Sequence, residues 1–69
     1  MEDIRDCRGR LTCKGDAATG FVESVYHGVK FCTTLSVGAE FAVEREGVVT
    51  IITRTTDSAF RIVSYIDAA

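Results

Sequence analysis

The sequence has no proline and no tryptophan, and only one histidine and one methionine in 69 residues. Without proline no backbone donor is missing from the chain, so any segment can serve as an internal strand. The lone histidine, His27, would need an activating partner to act as a general base, and none lies near it in sequence. His27-Gly28 reads instead as a hairpin turn, because His tolerates positive φ and Gly adopts it freely. No apolar run approaches the ~20 residues of a membrane-spanning helix. The opening MEDIRDCRGR lacks the apolar segment of a secretory leader. The expected compartment is the cytoplasm.

Surplus positive charge is also missing. Eight Lys and Arg face ten Asp and Glu, a net charge of −2, which argues against a general binder of phosphate backbones or anionic membranes. The three cysteines, Cys7, Cys13 and Cys32, are an odd number, unlike the even counts of disulfide frameworks. In a reducing compartment they are expected as free thiols. They contain no close C-x-x-C pair, the usual mark of a structural zinc site, so no metal or other cofactor is expected. Nor does Gly15 to Gly20 form a phosphate-cradling loop, since the Lys-Ser/Thr that would follow is absent. Glu23, Glu40, Glu44 and Glu46 are spread over three segments and read as surface charge rather than as a catalytic pair. The protein is expected not to be an enzyme.

What is present is β-branched apolar sequence. Glu40 to Tyr65, EFAVEREGVVTIITRTTDSAFRIVSY, reads as three strands joined by two turns. Val48 to Thr53 are all β-branched, which favours a pleated surface over a helix. Alternation sets Val49 and Ile51 on one face and Val48 and Ile52 on the other. Both faces are apolar, as in a strand covered on two sides. The turn at Glu46-Gly47 admits two registers. A two-residue turn pairs Phe41 with Ile52 and Val43 with Thr50. A three-residue loop, Arg45-Glu46-Gly47, pairs Phe41 with Ile51 and Val43 with Val49. The second is preferred, because Glu is poorly suited to positive φ and Gly47 suits a left-handed bulge. The choice fixes which face is core, since a slip of one residue inverts every side chain. The next turn is Thr55 to Ser58, after which Phe60, Ile62 and Ser64 alternate with Arg61, Val63 and Tyr65.

Earlier in the chain, residues 1–7 read as a loose or strand-adjacent arm, and Arg8 to Lys14 as a strand with Leu11 and Cys13 on one face. Asp16 is placed to cap one helical turn in the loop to Gly20. Phe21 to Tyr26 and Val29 to Leu35 read as a hairpin. Glycines 20, 28, 38 and 47 recur at the spacing of a short-stranded meander. The expected fold is all-β: one domain over 1–69, about six short antiparallel strands, in a small twisted sheet or partly open barrel.

Arg8-Gly9-Arg10-Leu11-Thr12-Cys13-Lys14-Gly15-Asp16, Leu35-Ser36-Val37-Gly38 and Phe41-x-Val43-Glu44-Arg45 resemble small uncharacterised β-rich proteins carried on Gram-positive mobile genetic elements. The resemblance implies a short accessory protein and assigns no activity, cofactor or site residue.

Two functional expectations follow. A chain this short builds one core, so the second apolar face is left to a partner. Val48, Ile52, Val63 and Tyr65 are the candidate face, and a second copy or a larger protein the expected partner. The alternative is a small nucleic-acid-binding barrel that uses Arg8, Arg10 and Lys14, read as one face of the N-terminal strand.

Overall fold

Two tight turns set the frame. His27 and Gly28 have φ of 52° and 79°, and Glu46 and Gly47 have the same pair of values. Each is a two-residue turn with positive φ at both central positions, whose twist matches that of the strands it joins. The structure is a computed structural model that describes residues 1–67. Among these, seven antiparallel strands form two meanders. The first sheet contains β1 (Glu2–Arg5), β2 (Leu11–Asp16), β3 (Phe21–Tyr26) and β4 (Val29–Thr34), and the second β5 (Glu40–Arg45), β6 (Val48–Thr56) and β7 (Ala59–Ile66). The all-β antiparallel fold is as expected; the sheets remain separate and do not close into a barrel.

The preferred register at Glu46-Gly47 is corrected. Arg45 pairs with Val48, Val43 with Thr50 and Phe41 with Ile52. Glu46 does take positive φ, and its carboxylate is held there by the Arg10 guanidinium. The consequence is an inversion of β6. Val48, Thr50 and Ile52 point inward with 1%, 0% and 0% of their surface exposed. The buried hydroxyl of Thr50 is satisfied by Ser64 Oγ at 3.1 Å, its cross-strand neighbour on β7.

The N-terminal segment also differs from expectation. Glu2–Arg5 is a strand paired with β2, anchored by Ile4, which is 1% exposed. The strand expected from Arg8 begins at Leu11, because Asp6 organises the residues before it into a loop. Its carboxylate accepts the backbone N–H groups of Arg8 and Arg10, at 2.9 and 3.0 Å, and the Arg10 Nε–H at 3.1 Å. A bulge follows: Ile4 opposes Cys13 and Arg5 opposes Leu11, leaving Thr12 as the extra residue. Thr12 and Cys13 are therefore both buried, where strict alternation would separate them. Between β2 and β3, Asp16 caps a single turn, accepting Ala18 N–H on its side chain and Gly20 N–H on its carbonyl.

Burial alone would raise the Asp6 pKa, but these N–H donors and the Arg10 charge outweigh it and hold the carboxyl below its ordinary 3.8. A depressed folded-state pKa stabilises the fold above the ordinary carboxylate range, and this contribution is lost as pH falls through the folded-state value. Urea midpoints should therefore fall on acidification below about pH 4. Asp6→Asn, which keeps an acceptor oxygen but cannot titrate, should start lower and show a shallower fall.

Ile4, Cys13, Val22, Leu35 and Ile52 form the buried core between the sheets, with Ala39, Phe41 and Phe60 packed on it. Phe60 of β7 lies against the bare backbone of Gly15 in β2. At one end Arg54 ties three connections together. Its guanidinium donates to the carbonyls of Leu35, Ala18 and Asp57 at 3.0, 3.2 and 3.1 Å. At the other end Cys7 N–H donates to Ser64 Oγ at 2.9 Å, joining the first loop to β7.

Candidate interaction surface

Residues directly opposite in an antiparallel pair share a face. On the outer face of β5–β6–β7 this gives three rows: Glu40, Thr53 and Arg61; Ala42, Ile51 and Val63; Glu44, Val49 and Tyr65. The middle of the face is apolar and the charges stand at its margins. Val63 and Tyr65 are each 46% exposed, and Val49 and Ile51 are half-buried only by their neighbours in the sheet.

The outer face of the other sheet is different. It carries Asp3, Arg5, Lys14, Glu23 and Lys30 among the apolar Leu11, Phe21 and Val25, with Arg5 near Asp3 at 4.0 Å and Lys30 near Glu23 at 3.9 Å. Such mixed, paired charge is a surface kept in water. Charge is interleaved with apolar side chains on this exterior, whereas on β5–β7 the β-branched and aromatic side chains are contiguous and the charges stand at the margins.

The expected site residues divide accordingly. Val63 and Tyr65 lie together on the outer face, while Val48 and Ile52 are inside the core and cannot join them there. Their places are taken by Val49 and Ile51, which the register preference assigned to the core. The signal that would have found them is the Glu40–Ala42–Glu44 alternation of β5, read with a two-residue turn like that at His27-Gly28.

Arg8, Arg10 and Lys14 do not form one face. Arg8 lies in the first loop, and Arg10 is bound to Asp6 and Glu46. Lys14 stands on β2 between its cross-strand neighbours Asp3 and Glu23. Each of the last two cations is thus matched by nearby carboxylates. His27 packs its ring edge-on against Tyr26, with centroids 4.1 Å apart. Cys7 and Cys32 are exposed, whereas Cys13 is buried in the core. Burial pushes the Cys13 thiol above its ordinary 9.0, and the Thr12 hydroxyl offsets this only in part, so Cys13 acts as a small hydrophobe. Among the described residues no group of three or more His, Cys, Asp or Glu side chains is arranged to hold a metal ion, and no helix is long and apolar enough to cross a membrane. Compared with known proteins, the chain matches no family model, no curated protein and no solved structure.

Proposed function

We propose that the protein is a non-enzymatic interaction module that associates with a second copy of itself through the outer face of β5–β7. One observation supports this above the others: the charges bordering that face are self-complementary. Packed sheets keep their strands within about 30° of alignment and lie ~10 Å apart. A two-fold axis lying between the copies along β6 sets β5 of one against β7 of the other. Glu40 then meets the second copy's Arg61, Glu44 meets the phenol of its Tyr65, and Ala42 meets its Val63. Ile51 meets its own counterpart on the axis. A two-fold axis across the strands instead sets Glu40 against Glu44, opposing like charges. The first arrangement covers Val49, Ile51, Val63 and Tyr65 and leaves the charged face of the other sheet in water. The setting we infer is the cytoplasm and the role an accessory one, in keeping with the resemblance to small mobile-element proteins.

Sedimentation equilibrium tests this reading. The native protein should sediment as a dimer, and Ile51→Glu as a monomer with an unchanged β-sheet spectrum, because Ile51 is not part of the core. A native protein that remains monomeric at ~1 mM, where even weak association is populated, would overturn the reading. So would an Ile51→Glu variant as dimeric as its parent.

A further inference from the structure

The sheet β1–β4 has one strand more than β5–β7, and the surplus is exposed beside β5. Tyr26, Val29 and Phe31 share the inward face of the β3–β4 hairpin with Val22 and Ser24. Yet Val22 and Ser24 are 0% and 7% exposed, while Tyr26, Val29 and Phe31 are 42%, 53% and 57% exposed. The core ends where β5 ends, because β5 is the last strand of its sheet and has no neighbour among the described residues on its far side. Between the overhanging hairpin and β5 runs a groove of about 290 Å³, lined chiefly by Ser24, Tyr26, Phe31, Phe41, Val43 and Arg45.

We propose that this groove accepts an extended strand of another protein, which pairs antiparallel with β5 as a fourth strand and covers the β3–β4 overhang. Strand addition of this kind draws affinity from main-chain hydrogen bonds and specificity from alternate side chains.

The occupant's chemistry follows from β5. Pairing with β5 of a second copy is disfavoured in both central in-phase registers. With Ala42 opposite Ala42, Glu40 meets Glu44; with Val43 opposite Val43, Arg45 meets Phe41 and finds no carboxylate. Like charges directly opposite destabilise a strand pair. A foreign strand escapes this if it carries basic residues opposite Glu40 and Glu44 on the outward side. Opposite Phe41 and Val43 it needs apolar side chains, which then cover Phe31. Opposite Arg45 it needs a carboxylate. The Arg45 guanidinium stacks over the Tyr26 ring at 5.1 Å from its centroid, and its buried Nε has no hydrogen-bond partner. Read from its N-terminus, the strand is acidic, basic, apolar, unrestricted, apolar, basic.

This site shares Glu40 and Glu44 with the outer face of β5–β7, so the Ile51→Glu variant serves as host and removes competition from self-association. The probe is a terminally blocked peptide, Glu-Lys-Val-Thr-Val-Lys, followed by amide chemical shifts. Saturable shifts along β5 and the inward face of β3–β4 are expected. The charge-exchanged peptide, Lys-Glu-Val-Thr-Val-Glu, should bind at least ~10-fold more weakly, a difference of about 1.4 kcal/mol. Phe31→Ser, at a side chain already exposed, should weaken the first peptide without changing the fold. Absence of binding at millimolar peptide, equal binding of both peptides, or shifts confined to the outer face of β5–β7 would each overturn the proposal.

Discussion

Ile52→Ala should lower the unfolding free energy by about 2–5 kcal/mol, the usual cost of truncating a fully buried Ile. Ile52 is 0% exposed and belongs to the cluster of Ile4, Cys13, Val22 and Leu35 between the sheets. Small domains have total stabilities at the low end of ~5–15 kcal/mol, so this single change should leave much of the protein unfolded at 37 °C. Ile51→Ala, one residue away, should cost under ~1 kcal/mol, as for positions outside the core. Both are measured by urea unfolding in dilute protein, where association does not contribute. The pair reports the facing of β6 directly. If Gly47 closed a three-residue loop, the order would reverse, with Ile51 the costly position.

Gly20→Ala should be as severe for a different reason. Gly20 has φ of +84°, and a Cβ there would collide with the Leu35 carbonyl oxygen and stand 3.0 Å from the Arg54 guanidinium. The left-handed conformation alone costs a non-glycine residue about 1–2 kcal/mol. The clash adds to this because the obstacle is backbone and is fixed in place. Leu35 N–H donates to Gly20 O at 2.8 Å, and Leu35 O accepts from Arg54 at 3.0 Å. Moving Leu35 aside thus breaks the tie between the β2–β3 turn and the β4–β5 connection. Gly28→Ala separates the two effects. Gly28 has φ of +79° with nothing within 4 Å of the added carbon, so only the conformational cost of about 1–2 kcal/mol applies. A Gly20→Ala midpoint no lower than that of Gly28→Ala would contradict the close approach.

The strands and most turns were legible in the sequence because they rest on local chemistry. Alternation marked β3, β4, β5 and β7, and glycine marked the turn at Gly28. The facing of β6 was not legible, because it depends on one residue of turn length. Glu is poorly suited to positive φ, so turn chemistry favours the longer loop and with it the wrong face, whereas Glu46 in fact takes φ of 52°. What decides the matter is a cross-strand hydroxyl pair, Thr50 with Ser64, and the ion pair that holds Glu46 in its turn. The same slip split the candidate surface: Val63 and Tyr65 were assigned with Val48 and Ile52 instead of with Val49 and Ile51. β1 was hard to see because it carries one apolar anchor, Ile4, and its stability comes from contacts distant in sequence. The bulge at Thr12 similarly hides the alternation of β2.

The most direct measurement of the central claim is a charge exchange across the proposed two-fold, read as dimer dissociation constants by sedimentation equilibrium. Glu40 and Arg61 lie in one row, separated by Thr53 on the same face. Glu40→Arg sets two cations against each other between copies, and Arg61→Glu sets two carboxylates. Each single change should weaken the dimer several-fold at low salt, and the double change should restore native affinity. A double variant as weak as the product of the two singles, or native protein that stays monomeric throughout, would contradict the account.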